Sequence, residues 1–352
     1  MSRDWSTVGY VAFGDKARKL FGFSAFVDLY GGGVVSSVIL TGMNIQAFST
    51  LPLSMLVCSV AVLLFILLFV PEKYFLKFAV LGLLCQLMML ASLVITGVEL
   101  EIQGAAATAN DLTLVNLAGF PAALGIAIAL FNVHCVAPVV YQMMSDRTGW
   151  SRVVVLATST SLFVFILVGS AGYFLFGNTV QQVITSNIGK DRQGILLPGC
   201  MNVALSTVTN GLIALKLLSS MPLWTFAIIN LVTELVGLQE NPKAQVLVKA
   251  VFMVITACLC IACCDRLAYV MELVGCLVGT TVCILCPCAA LLQLDGARLR
   301  SLQKWSILTL MIVAVAYWFV GLTSILSSFR TSLKQATSTS TTRNATELVF
   351  VS

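Results

Sequence analysis

The only histidine of the chain, His134, stands in "ALFNVHCVAPVVYQMMSDRTGW", Ala129 to Trp150, an otherwise almost wholly apolar run. Asn132 lies two residues before it and Pro138 four after. Proline has no N–H, so Pro138 cannot donate to the carbonyl of His134 and leaves that acceptor free. An imidazole titrating near about 6.5, an asparagine amide and a free carbonyl can bind the polar groups of a small solute and handle a proton. The same residues also suit a kinked helix whose histidine bonds a neighbour, and residue types alone leave both readings open. Glu272, in "LAYVMELVGCLVG", is read as the clear carboxylate inside an apolar segment, seven residues after Asp265 and able to share its helix face. It is either a proton-binding group or a side chain within two turns of water. Lys216 lies about a turn from a segment end and can snorkel. Asn44, Gln86, Thr207 and Asn210 can hydrogen-bond between helices or line a cavity.

The sequence offers no other chemistry. It has no phosphate-binding Walker loop, no Gly-x-Ser-x-Gly and no His/Glu metal spacing, and a single histidine cannot supply both ligands and base. The chain is therefore read as no enzyme, with no cofactor and no metal. Of twelve cysteines, eight lie between Cys258 and Cys288, where they act as small hydrophobes in packed helices. "CPC" at Cys286 and Cys288 lacks the second pair that a zinc site needs. A disulfide from Cys200 to Cys263 or Cys264 stays open.

The elements that position these residues follow from composition. Hydrophobic residues make up 59% of the 352 and charged residues 10%, with a mean hydropathy of +0.99. The apolar residues come in blocks of about 20, enough to cross a hydrocarbon core. This is an all-α polytopic membrane protein with the lipid bilayer as its solvent. A β-barrel, a soluble fold and a nucleic-acid binder are set aside, and the net charge of +5 reports orientation instead. Nine spans are predicted, over 26–47, 51–70, 77–97, 119–141, 153–176, 199–221, 245–264, 268–292 and 305–327. Residues 1–25 form an amphipathic cytosolic segment, 26–328 the membrane domain and 329–352 a polar tail. "PLWTFAIINLVTELVGLQENP" reads as a second stretch along the cytosolic face. The glycines of "YGGG" suit close helix contacts.

Positive residues cluster in alternate linkers. Lys16, Arg18 and Lys19, Lys73 and Lys77, Arg147 and Arg152, Lys243, and Arg298, Arg300 and Lys304 all fall on one side, which is cytosolic by the positive-inside rule. The linker "GVELEIQGAAATANDLTLVN" opposite them has three carboxylates and no Lys or Arg. Lys190, Arg192 and Arg266 are exceptions with acidic neighbours at Asp191 and Asp265. The N-terminus is then cytosolic and the C-terminus luminal or extracellular. Asn344-Ala-Thr346 in the tail is a glycosylation sequon that agrees with this side.

Several stretches in order resemble the amino acid/auxin permease family, most of all its vesicular inhibitory amino acid transporter and plant vacuolar branch. "FNVHCVAPVVYQMM" is similar to the family's "SGHAVFPNIYTSM", aligning His134, Val136, Pro138 and Tyr141. "YVAFGDKARKLFG" with "LYGGGVVSSVILTGMNIQAF", "SAGYFLFGNTVQQVITSNI", "LKLLSSMPL" and "MELVGCLVGTTVCILCPCAALL" resemble further family segments. The resemblance implies an inverted-repeat fold of five plus five helices and one more, of which these spans match helices three to eleven, the first two being missing. It implies substrate binding at an unwound sixth helix. That assigns substrate contact to Asn132, Val133, His134 and Tyr141, the helix break to Pro138, and proton coupling to His134 or Glu272. Val133 replaces a glycine of the branch pattern. The implied function is secondary active amino acid transport, proton-coupled, by alternating access around 131–138, in a vacuolar, lysosomal or vesicle membrane in preference to the plasma membrane. Two alternatives stay open: a non-transporting truncated relative that senses nutrients or assists assembly, and a sodium-coupled plasma-membrane carrier.

Overall fold

The computed structural model describes residues 5–71, 74–108, 111–113, 115–117, 119–131, 134–181, 183–238 and 241–349. Regular structure among them is helical, apart from one isolated antiparallel bridge between Lys190 and Leu196. The helices are α1 Trp5–Phe13, α2 Asp15–Asp28, α3 Ser36–Gln46, α4 Leu53–Leu67, α5 Phe75–Ile102, α6 Phe120–Leu130, α7 Ala137–Met143, α8 Trp150–Phe176, α9 Cys200–Val236, α10 Pro242–Cys263, α11 Leu267–Leu273, α12 Cys286–Asp295 and α13 Ser301–Val349. Among the described residues seven helical stretches are long and apolar enough to cross a membrane, and Leu53–Leu67 and Phe120–Leu130 are shorter apolar helices. Together they match the nine predicted spans in order. The chain is an all-α polytopic membrane protein.

Two spans begin or end elsewhere than the hydropathy suggests. The first helix starts at Asp15, eleven residues before the predicted limit, and runs to Gln46. Within it the π-helical segment Leu29–Val35 joins α2 to α3. At Gly14, with φ +84°, the chain reverses, and α1 folds back on α2 so closely that a Cβ on Gly9 would lie 2.7 Å from Phe21. The second difference is α9. Its 37 residues span about 55 Å at 1.5 Å per residue, longer than a hydrocarbon core. The stretch after Pro222, expected along a membrane face, instead continues this helix and buries Thr225, Ile228, Ile229 and Thr233. Pro222 removes one backbone bond, and burial of that apolar face outweighs the loss.

The main core joins α2, α3, α4, α9 and α10 around Val34, Val38, Ile39, Val57, Leu64, Met221 and Ile228. The triple glycine lets neighbouring helices approach closely: a Cβ on Gly31 would sit 2.9 Å from Val274, and one on Gly33 would stand 3.7 Å from the Trp224 ring. This is the close helix contact expected of "YGGG". The later helix mirrors the first, since α11 passes through two π-helical segments, Val274–Gly279 and Thr281–Leu285, into α12. At the start of α10, Asn241 caps the helix by accepting from the amides of Lys243 and Ala244.

Candidate functional site

The fourth span is interrupted. α6 ends where the Phe131 N–H donates to the carbonyls of Ala127 and Ile128, both at 3.2 Å. α7 begins again at Ala137, with the Val140 N–H donating to the Val136 carbonyl at 3.0 Å. Pro138 sits in the first turn of α7, where its missing N–H costs nothing. It therefore starts the second half-helix instead of kinking a continuous one. His134 lies inside the interruption, half-buried, and its Nδ1 is buried without a hydrogen-bond partner among the described residues. Asn132 and Val133 fall outside the described residues. A non-helical backbone at membrane depth occurs where protein or a cavity surrounds it.

What surrounds the interruption is built from small residues and one carboxylate. A Cβ on Gly275 would lie 1.8 Å from the Gly125 carbonyl, so α6 and the Val274–Gly279 segment meet backbone to backbone. The Tyr317 hydroxyl of α13 donates to the Pro121 carbonyl at 2.8 Å and pins the start of α6. Cys135, next to His134, is buried and donates from its Sγ to Asp28 Oδ2 at 3.5 Å. Asp28 is the last residue of α2 and fully buried. Glu272 is thus not the single intramembrane carboxylate. The sequence reading missed Asp28 because it opened the first span at residue 26, making Asp28 an end group. With the helix starting at Asp15 it lies thirteen residues in, about 20 Å along the axis. Reading "DKARKLFGFSAFVD" as the helix start would have found it.

The other predicted residues divide. Glu272 is half-buried on α11, and its backbone packs against Gly125, 3.0 Å from where a Cβ would stand. It supports the first half-helix from the side. Tyr141 lies at the far end of α7, its ring edge-on to Trp150 at 5.3 Å with the Arg147 guanidinium 5.5 Å from its centroid. The structure therefore places its ring against the α7–α8 loop. Asn344 lies on the continuation of α13, its side chain outside the described ones. Among the described residues Cys263 forms no disulfide and the Cys264 thiol donates to the Ile261 carbonyl at 3.2 Å, while the Cys200 side chain lies outside them. Among the described residues no group of three or more His, Cys, Asp or Glu side chains could hold a metal.

A family model for the transmembrane amino acid transporter protein matches residues 1–329. The chain belongs to that family. Among relatives of this transporter-family chain, all from Arabidopsis thaliana, Amino acid transporter ANT1 is 26% identical over 200 residues, 53% of this chain and 44% of the relative. Amino acid transporter AVT1J is 24% identical over 202 residues, 54% of this chain and 47% of the relative. Amino acid transporter AVT1D is 24% identical over 309 residues, 84% of this chain and 54% of the relative. The chain spans about half the length of the curated relatives it matches.

In this amino acid transporter family member, one end of the bundle is closed by two linkers. Thr185, Asn187, Ile188 and Gly189 are buried between helices. The Thr185 hydroxyl donates to Asn44 Oδ1 of α3 at 2.7 Å, the Asn210 amide of α9 donates to the Thr185 carbonyl at 3.3 Å, and the Gly189 N–H donates to Thr96 of α5 at 3.2 Å. Asn44 and Asn210 therefore bond a loop to the bundle, while Thr207 is exposed. Arg192 pairs with Asp111 of the other linker, not with its neighbour Asp191. Asp191 instead accepts from the amides of Gln193 and Ile195 and closes its own turn. Hydrogen bonds from Thr108, together with Arg192, hold the Asp111 carboxyl down at about 2.

Proposed function

We propose that this chain carries amino acids across a membrane by secondary active transport coupled to protons, with alternating access around the interruption between α6 and α7. The observation that carries the reading is that interruption, in the fourth span of a chain from an amino acid transporter family, with His134 Nδ1 buried inside it and unpartnered among the described residues. Freed carbonyls at the end of α6, the His134 imidazole and the Asn132 amide bind the carboxylate and ammonium of the substrate, and the resemblance adds Val133 to the substrate contacts. Broken helices of this kind hold substrates in other transporter folds. Glu272 and His134 are both candidates for proton handling.

The basic linkers face the cytosol and the linkers around Asp111 and Arg192 face the lumen of a vacuole, lysosome or vesicle. Resemblance to the vacuolar and vesicular branch supports that membrane over the plasma membrane. On the same reading Asn344 is luminal and open to glycosylation, which glycosidase treatment of the expressed protein reports as a mobility shift.

The test is uptake of labelled amino acids into proteoliposomes. An inward proton gradient drives uptake, choline in place of sodium leaves it unchanged, and His134→Ala lowers it by about tenfold or more at equal protein. Loss of uptake on sodium removal supports a sodium-coupled carrier instead. Amino acid binding without flux supports a non-transporting relative.

A further inference from the structure

The proposed substrate-binding role of the interruption leaves Asp28 without a function, yet the fold seats it against that interruption. Asp28 is fully buried and ends α2, where the helix widens into the π-helical Leu29–Val35. Its Oδ2 accepts from Cys135, 107 residues away in sequence and one residue from His134. Cys283, on the π-helical Thr281–Leu285, lies within electrostatic reach of Asp28, and Cys286 on α12 within reach of Cys135. Tyr30, two residues on, turns its hydroxyl to Thr256 of α10 at 3.1 Å. Glu272 packs elsewhere, its backbone on Gly125 and its carboxylate within reach of Tyr317. Among the described residues, the titratable groups near Asp28 include Cys135 and Cys283, with Cys286 and Tyr30 farther along the same elements.

Three properties of this arrangement bear on function. A unit charge acts far more strongly on its neighbours in the interior than in water, so gaining or losing one here shifts packing. The direction of the Asp28–Cys135 bond depends on protonation, because a carboxylate only accepts whereas a protonated acid also donates. The helix turns beside Asp28 are π-helical and glycine-rich, a geometry that recurs at functional sites and rearranges at low cost.

We propose that Asp28 binds the proton coupled to transport, and that its contact with Cys135 passes its charge state to the interrupted helix. This rests on the proton-coupled reading above. One proton adds to a carboxylate oxygen of Asp28 while the site faces the acidic compartment. The same proton leaves to the opposite compartment after the helices rearrange, regenerating the carboxylate, so the cycle balances with no other reactant. His134 then contacts substrate and Glu272 supports α6.

The test uses the full chain in proteoliposomes and the amino acid that the wild type takes up best. Accumulation driven by an inward proton gradient is compared with counterflow exchange in the absence of a gradient. Asp28→Asn lowers gradient-driven accumulation by about tenfold or more and leaves counterflow within about threefold. Asp28→Glu restores accumulation with an altered pH profile. Asp28→Asn accumulation equal to wild type overturns the proposal alone. Equal loss of accumulation and counterflow in a monodisperse Asp28→Asn protein also overturns it, because Asp28 then holds the substrate ammonium or the scaffold. If Asp28→Asn does not fold, Asp28→Glu decides: an unchanged pH profile of uptake overturns the assignment. A wild type that exchanges substrate but ignores the proton gradient removes the coupling reading, and the proposal with it.

Discussion

Thr108 gives Asp111 a hydroxyl and an amide, Arg192 adds its guanidinium, and the carboxyl drops to about 2 from the ordinary 3.8. The sign follows from linkage. A carboxyl whose pKa is lower in the folded state contributes above its unfolded value, and the contribution disappears as pH falls through the folded value. The window of loss therefore runs from about 3.8 down to about 2. Mild acid, about pH 5, leaves the Asp111–Arg192 contact intact. Hydrogen exchange of residues 183–197 checks this: protection is equal at neutral pH and in that mildly acidic range, and Asp111→Asn lowers it in both. At this scale the sequence was informative where a residue type is rare. His134 stands out because it is single. Asp28 did not, because its burial depends on where the helix begins and on the contact with Cys135 across the fold. The partner of Arg192 was equally hidden, since Asp191 is adjacent in sequence but occupied by its own turn.

Helix contacts at the site run through glycine. Gly275→Ala forces a methyl into the Gly125 carbonyl, a backbone group that cannot swing away. Overpacking of this kind costs about 1–3 kcal/mol or more and lowers the melting temperature of the detergent-purified protein. Gly211→Ala is the contrast, because open space surrounds its Cβ position in α9. There the change stabilises by about 0.5–1 kcal/mol through helix propensity. Equal melting temperatures for the two variants contradict the backbone contact. Asn44→Ala removes the acceptor of the buried Thr185 hydroxyl and costs about 1–3 kcal/mol, read in the same melts. Element positions were largely legible, although Pro138 near His134 left a kink and a break both open and only the family resemblance pointed to the break. The π-helical segments were not, because "LYGGGVV" and "VGCLVG" carry no periodicity that separates a π-helix from an α-helix. The extension of α9 was missed for a related reason. Pro222 ordinarily signals an end, and only the tertiary burial of Ile228 and Ile229 explains its place inside a helix.

For the whole molecule, apolar blocks of about 20 residues gave the number of spans, because the hydrocarbon thickness sets them independently of packing. Which blocks touch lay beyond that pattern. The loop 183–197, seated against Asn44, Thr96 and Asn210, closes one end of the bundle in this conformation. The proposed alternating access requires that end to open. A disulfide between Asn44→Cys and Thr185→Cys, whose parent side chains bond at 2.7 Å, arrests uptake, and reductant restores it. Undiminished uptake with the pair oxidised contradicts a moving outer closure. The most direct test of the central claim is amino acid accumulation in proteoliposomes of the purified chain under an inward proton gradient without sodium. The account predicts accumulation above the external concentration that collapses when a protonophore is added. Substrate entry that is unaffected by the protonophore, or that occurs only with sodium, contradicts it.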